Sequence, residues 1–270
     1  MITLVGHGYI GKAIAAHLTE TKTNFRWVSH TDPDIASTTR FTTCVINAAG
    51  FTGVPNVDMC EVYKDETIQG NIVFPLRLQT EAWLRSIPVV HITSGCVYNG
   101  YNGDGWTEEH EPNFTFNNGS FYSGSKALFQ EMMKPYLLNS YLLRIRMPFD
   151  GSHDPKNIFT KLSSYHRLIN NINSYSYVKD VAKVAVFFAN TRPPGGIYNV
   201  CNPGYIDTKT VAKKLGIEKL WMTHDEFKLI TKAPRSNCTL DGAKLQKIYP
   251  LRTVNEVMDE AIKEFLDTKT

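Results

Sequence analysis

A doubly wound α/β fold, a parallel sheet with helices on both faces, is predicted by three features of this 270-residue sequence. Short apolar runs alternate with amphipathic helical segments through roughly the first 150 residues. The runs are apolar at nearly every position, as strands buried on both faces must be. The first of them leads directly into a glycine loop that opens a helix, the place where such sheets bind phosphates.

Ile2–Val5 reads as the first strand and Lys12–Leu18 as the helix behind it. Phe25–Val28 and Thr43–Ile46 are the next strands, and Val57–Asn71 and Phe74–Arg85 have helical periodicity. Val89–Thr93 is a strand bounded by Pro88 and by the Ser94-Gly95 turn. Lys126–Leu138 is an amphipathic helix and Tyr141–Ile145 a further strand. After Pro148 the pattern loosens, and Gly151–Asn157 is polar and turn-rich. Val178–Ala189 is helical, and Ile197–Val200 is a strand that follows the breaker Pro193-Pro194-Gly195-Gly196. Helices are expected at Thr208–Leu215 and Val254–Asp267. The organisation expected is a Rossmann-type domain over residues 1–150, with 175–202 returning to it, and a smaller C-terminal substrate-binding lobe formed mainly by 151–270.

Composition narrows the function classes. Hydrophobic residues make up 42% and charged residues 20%, enough for a real core. A net charge of +3 with no dense Lys/Arg stripe argues against a nucleic-acid partner. Five cysteines, at 44, 60, 96, 201 and 238, are odd in number and widely spaced, with no C-x-x-C. That argues against a disulfide framework or a metal site and for a reducing compartment. Met1 leads straight into a strand, and the apolar run Val181–Ala189 is short and contains Lys183, so neither a leader nor a membrane span is expected. A soluble cytoplasmic protein is the expectation.

Gly6-His7-Gly8-Tyr9-Ile10-Gly11 is a G-x-G-x-x-G between a strand and a helix. Its glycines allow a tight turn, and the helix N-terminus offers free N–H groups to a pyrophosphate. The alternative is a purely structural turn. The second strand ends Val28-Ser29-His30-Thr31, with no acid before Asp32. Hydroxyl and imidazole groups tolerate a 2′-phosphate better than a carboxylate does, which favours NADPH, with NADH as the alternative.

Tyr122 and Lys126 form a Y-x-x-x-K, and residues four apart share one face of a helix. A carbonyl reductase needs such a proton donor. Free tyrosine titrates near 10, and bringing it to about 7 takes about 4 kcal/mol of differential stabilisation, to which a neighbouring ammonium contributes. The same spacing recurs at Tyr175/Lys179 and Tyr205/Lys209. Only Tyr122 has a strand ending in a hydroxyl-bearing turn upstream, at Thr93-Ser94-Gly95, where Ser94 can hold the substrate carbonyl.

Asn47-Ala48-Ala49-Gly50, the 94–98 turn, Tyr122/Lys126 and Leu143–Pro148 resemble the extended short-chain dehydrogenases/reductases. Longer stretches, Asn47–Glu61, Pro112-Asn113-Phe114, Ser120–Lys126, Asn157–Lys161 and Ala233–Asn237, resemble one branch. That branch is the plant-type UDP-4-keto-6-deoxy-D-glucose 3,5-epimerase/4-reductases of UDP-L-rhamnose synthesis, which also occur in giant viruses. The resemblance implies that Ser94, Tyr122 and Lys126 are the reductase triad and that Cys96 and Lys161 are the epimerase pair. It implies a cofactor held by Gly6, Gly8, Tyr9, Ile10, Gly11, Asp34, Ile35, Ala48, Ala49, Gly50 and, less directly, Asn71. It places substrate against Thr52, Asn113, Asn157 and Arg235. The glycine loop is one residue shorter than the family's G-x-x-G-x-x-G, and Ser94 stands where the branch often has Thr. No segment is long enough for a 4,6-dehydratase, so a separate enzyme would supply the ketosugar. A homodimer is compatible with the sequence.

The chemistry explains the pair. A C4 ketone acidifies the protons on C3 and C5, and inversion needs acid/base groups on both faces of the sugar. Taken without the resemblance, Cys96 reads as a small buried hydrophobe and Lys161 as a solvated helix charge. His153 and His166 are the alternatives to Lys161. Competing functions are a dTDP-4-ketorhamnose reductase, a GDP-4-keto-6-deoxymannose epimerase/reductase and a catalytically silent subunit on the same fold.

Overall fold

The structure is a computed structural model, and it describes residues 1–31 and 39–268. The chain forms β1 (Ile2–Val5), α1 (Tyr9–Glu20), β2 (Phe25–Val28) and β3 (Cys44–Asn47). A 3-10 turn at Val57–Cys60 precedes α2 (Lys64–Ile68), a π-helical turn (Gln69–Val73) and α3 (Phe74–Trp83). Then come β4 (Val89–Ser94), α4 (Phe121–Met133), β5 (Ser140–Ile145), β6 (Pro148–Phe149) and α5 (Ile158–Ser164). Three short strands follow, β7 (Arg167–Ile169), β8 (Ile172–Asn173) and β9 (Ser176–Tyr177). The rest is α6 (Val178–Thr191), β10 (Gly196–Asn199), β11 (Ile206–Asp207), α7 (Thr208–Lys214), β12 (Leu220–Met222), α8 (His224–Ile230), α9 (Ala243–Gln246) and α10 (Val254–Asp267).

Six parallel strands form one sheet in the order β2-β1-β3-β4-β5-β10. The wholly apolar runs explain its layers. Leu4, Ile46, Val90 and Leu143 point to one face, where Ile14 and Leu18 of α1 and Val181, Ala185 and Phe188 of α6 cover them. Val5, Val45 and Val89 point to the other, against Leu78 and Ala82 of α3. Each such side chain, fully buried, contributes about 1.5–3 kcal/mol, so neither face could be left to solvent. Because α6 packs on α1 and β10 pairs with β5, residues 178–199 lie with the sheet. A second core, built on Phe149, Phe159, Tyr177, Val257 and Phe265, holds β6, α5, β9 and α10 together. Thr253 and Glu256 form a capping box that starts α10. Among the described residues no helix is long and apolar enough to cross a membrane.

Four elements depart from the expectation. α4 begins at Phe121, five residues before Lys126, because the Ser120 hydroxyl accepts from the Ser123 N–H and caps it. The segment expected to be helical over Val57–Asn71 is interrupted at Glu61-Val62-Tyr63 and becomes a 3-10 turn, α2 and a π turn. α5 and α8 were not visible as periodicity: α8 has no buried residue, and only its Thr223/Glu226 capping box marks it.

β1 lies between β2 and β3, so successive strands leave it in opposite directions. A crevice opens at the carboxyl ends of β1 and β3, the usual ligand position in an open parallel sheet.

Candidate active site

A cavity of about 860 Å³ runs from that crevice to β12 and α8. At the crevice it is lined by Gly8, Tyr9, Ile10, Ala48, Ala49 and Gly50. The glycine loop is tight at its ends and open in the middle. Gly6 has φ +102°, and a Cβ there would lie 2.8 Å from the Ala49 nitrogen. A Cβ on Gly11 would lie 2.1 Å from the Gly6 carbonyl oxygen. A Cβ on Gly8 would meet nothing within 4 Å, and Gly8 caps α1 without a side-chain hydrogen bond. The first-turn N–H groups of α1 therefore stand at an open cradle that fits a phosphate. His7 is exposed and meets Trp27 edge-on at 4.7 Å, as part of the loop's outer surface. Asp34 and Ile35 lie outside the described residues.

Asn71 is fully buried and does not line the cavity. Its Oδ1 accepts from Phe51 N–H at 2.9 Å, and its Nδ2 donates to the Phe51 carbonyl at 2.9 Å and to Ser125 Oγ at 3.1 Å. Its contribution is to hold the Gly50-Phe51 backbone against α4 rather than to touch a ligand.

Ser94, at the end of β4, accepts from Cys96 N–H at 3.1 Å and so turns the chain back across the cavity. Tyr122 and Lys126 reach the same place from α4, both nearly buried, with the Lys126 ammonium 5.9 Å from the Tyr122 ring centre. Burial lowers Lys126 to about 8. Burial and the neighbouring Cys96 push the Tyr122 hydroxyl above its ordinary value, while a hydrogen bond with Ser94 pulls the other way. The sequence suggested that the lysine would draw the phenol down towards neutrality. In the structure burial dominates, and the phenol is held as a protonated acid. The other two Y-x-x-x-K pairs lie elsewhere. Tyr175 is packed in the second core, Lys179 bonds Glu264 at 2.6 Å, Tyr205 is exposed, and Lys209 sits over the Trp221 ring.

Cys96 and Lys161 line the cavity beyond Tyr122. Lys161, on α5, is lowered to about 8 by burial and by the nearby Lys156 and Arg235, with Cys96 and Asp154 opposing. Of the two alternative bases, His166 also lines the cavity. His153 instead packs on the Phe265 ring at 4.2 Å and meets Thr268.

Also on the cavity wall, Thr52 Oγ1 accepts from Lys156 Nζ at 2.8 Å, and Arg235 pairs with Asp58 at 2.8 Å. Thr52 and Arg235 face the cavity, and two other expected substrate contacts do not. Asn113 is exposed, with its amide spent on both backbone groups of Asn99, at 2.8 and 2.9 Å. Asn157 is fully buried: its Oδ1 caps α5 at Phe159 N–H, and its Nδ2 donates to the carbonyls of Asp150 and Ser152. Both are corrections with one cause, a side-chain amide consumed by local backbone.

Four cavity residues were missed by sequence reasoning. Lys156 and Asp58 gave no signal beyond charge. Arg146 was read only as part of a strand, yet its Nη1 donates to Cys96 Sγ at 2.8 Å. Asn173 is buried, with Oδ1 accepting from Arg146 and from Cys238 N–H, while its Nδ2 has no hydrogen-bond partner among the described residues. Asn173 is itself one of the residues lining the cavity.

The family described as RmlD substrate binding domain matches residues 2–267. The bifunctional dTDP-4-dehydrorhamnose 3,5-epimerase/dTDP-4-dehydrorhamnose reductase of Arabidopsis thaliana is 34% identical over 241 residues, 82% of this chain and 76% of that protein. A trifunctional UDP-glucose 4,6-dehydratase/UDP-4-keto-6-deoxy-D-glucose 3,5-epimerase/UDP-4-keto-L-rhamnose-reductase of the same plant is 35% identical over 221 residues, 77% of this chain. The chain spans about a third of the length of that trifunctional relative, 32%. Among solved structures, the UDP-rhamnose synthase of Acanthamoeba polyphaga mimivirus superposes with a TM-score of 0.89 at 25% identity, covering 98% of this chain and 99% of that one. The dTDP-4-dehydrorhamnose reductase of Bacillus anthracis, solved in complex with NADP, shares the fold at a TM-score of 0.81 and 19% identity, over 99% of this chain and 98% of that one. The chain belongs to the RmlD substrate binding domain family, among the extended short-chain dehydrogenases/reductases.

Proposed function

We propose that this protein converts UDP-4-keto-6-deoxy-D-glucose to UDP-L-rhamnose by 3,5-epimerisation followed by NADPH-dependent reduction at C4. One observation carries the reading: Ser94, Cys96, Tyr122, Lys126 and Lys161 line a single cavity whose other end is the glycine loop. The activities of the plant and mimiviral relatives support it.

The dinucleotide suits the cradle at Gly8 and the backbone of Ala48–Gly50. The end of β2 supports NADPH: Ser29 and Thr31 hydroxyls lie 2.7 Å apart there, with no carboxylate in Val28–Thr31. When bound, the reduced nicotinamide supplies the hydride for C4. Tyr122 gives its phenolic proton to the C4 oxygen as the carbonyl becomes an alcohol, and Ser94 holds that oxygen by a hydrogen bond. The Lys126 ammonium stabilises the phenolate left on Tyr122. Before reduction, Cys96 and Lys161 remove and return protons at C3 and C5. A 4,6-dehydratase activity supplies the ketosugar.

Gly8→Val separates cofactor binding from folding. The position has room and an ordinary φ of −77°, so melting temperature should stay within a few degrees of wild type. The added methyls fill the cradle, and NADPH affinity by calorimetry should fall about 100-fold, about 3 kcal/mol. The function itself is tested by incubating the protein with UDP-4-keto-6-deoxy-D-glucose and NADPH and reading the product by NMR. UDP-L-rhamnose is expected. A product reduced without inversion at C3 and C5 would leave a reductase alone, and no NADPH oxidation with any 4-ketosugar would sink the reading.

A further inference from the structure

Arg146 follows β5, and its backbone is fixed on both sides by Ser176. Arg146 N–H donates to Ser176 Oγ at 2.9 Å, and Ser176 N–H donates to the Arg146 carbonyl at 2.8 Å. Its guanidinium is buried. Two of its nitrogens bond Asn173 Oδ1, at 3.2 and 2.6 Å, one bonds the Ser236 carbonyl, and Nη1 bonds Cys96 Sγ. The first two partners are neutral. None of its partners among the described residues is a carboxylate. A buried guanidinium without a counter-charge is strongly disfavoured.

The groups around it leave one candidate for that charge. Cys238 donates its own S–H to the Gly95 carbonyl at 3.4 Å, and burial pushes its thiol up, so it stays neutral. Tyr175 is buried and likewise pushed up. Tyr122 is held as a phenol, and Lys126 and Lys161 face the sulfur as cations. Cys96 alone is both hydrogen-bonded by the guanidinium and open to the cavity.

We propose that Arg146 is the counter-ion of Cys96 and fixes its sulfur, as a thiolate, facing the cavity; the acid/base pair of the reading above then uses Cys96 to take protons and Lys161 to return them. The catalytic half rests on the epimerase/reductase reading above; the ion pair does not. Cys96 takes the proton next to the C4 ketone, and the C–H electron pair becomes the enolate. Lys161 returns a proton to the opposite face of that carbon. Proton exchange with solvent then resets a thiol and an amine to a thiolate and an ammonium. Arg146 is a positioning residue in this scheme, since it touches the base and not the sugar.

The test needs no substrate. The full chain is treated with iodoacetamide at neutral pH, and Cys96 modification is followed by peptide mass spectrometry, with the four buried cysteines as internal references. Thiolates are the reactive form, so Cys96 should be alkylated first, and Arg146→Met should slow it about tenfold or more. Arg146→Lys keeps the charge and should recover most of the rate, a rescue that a merely structural role would not produce. Should Arg146→Met not fold, thiolate ultraviolet absorbance decides: wild type should show it at neutral pH and Cys96→Ala should lose it. Wild-type alkylation rates in Arg146→Met, or no difference in absorbance between wild type and Cys96→Ala, would overturn the proposal. A reactive, Arg146-dependent Cys96 in a protein that exchanges no deuterium from 4-ketosugars would overturn the epimerase instead and leave the ion pair standing.

Discussion

Tyr122→Phe lowers ketosugar reduction by about 10²–10⁴-fold, the range a positioned general acid supplies, and leaves solvent-deuterium exchange at C3 and C5 near the wild-type rate. The two halves of this result follow from the burial of Tyr122 and the placing of its hydroxyl. The phenol is buried at 8% exposure, hydrogen-bonded with Ser94 and raised in pKa, so it is a proton donor at neutral pH and a poor base. Removing the oxygen leaves the ring and its packing in α4 unchanged, and Cys96 and Lys161 are untouched. NADPH oxidation followed by absorbance gives the first half, and NMR of the ketosugar in deuterium oxide gives the second. Loss of both activities together would mean that Tyr122 also serves the epimerisation.

The reducing end of this site was legible because its signals are backbone-scale. Strand, glycine loop and helix lie in sequence order, and a Y-x-x-x-K becomes meaningful when a strand ending in Ser94 precedes it. The substrate end was less so. Asn113 and Asn157 look like ligands in a sequence, but whether an amide faces a cavity or a backbone loop depends on turns that no periodicity encodes. Both face backbone here. Arg146 failed in the opposite way. Its neighbours Leu143 and Ile145 mark a buried strand, and a charge beside them reads as an exception rather than as half of an ion pair. Its partner Cys96 is 50 residues away, and only the crossover from β4 to β5 brings them together. α5 was hidden for a related reason: its start is set by the Asn157 cap inside a segment whose composition says loop.

Lys161→Met abolishes inversion at C3 and C5, a loss of about 10²–10⁴-fold for one member of an acid/base pair, and the wild-type pH profile says which member it is. Burial and the cations Lys156 and Arg235 lower Lys161 to about 8. Below that pH the side chain is an ammonium and can donate; above it the amine can only accept. With Lys161 as the acid, the inversion rate holds steady through neutral pH and falls as pH rises past about 8. With Lys161 as the base, inversion would instead climb up to about 8 and then level. Lys126 is lowered to a similar value and could place its own limb on the reduction. Inversion is therefore measured by NMR in the Tyr122→Phe background, where reduction is silent. Lys161→Arg adds the final discrimination. It keeps a positive charge facing Cys96 but gives up a proton far less readily, so the acid role predicts that it fails almost as completely as Lys161→Met. A Lys161→Arg variant that inverted at the wild-type rate would reduce Lys161 to an electrostatic neighbour and turn attention to His166, which also lines the cavity.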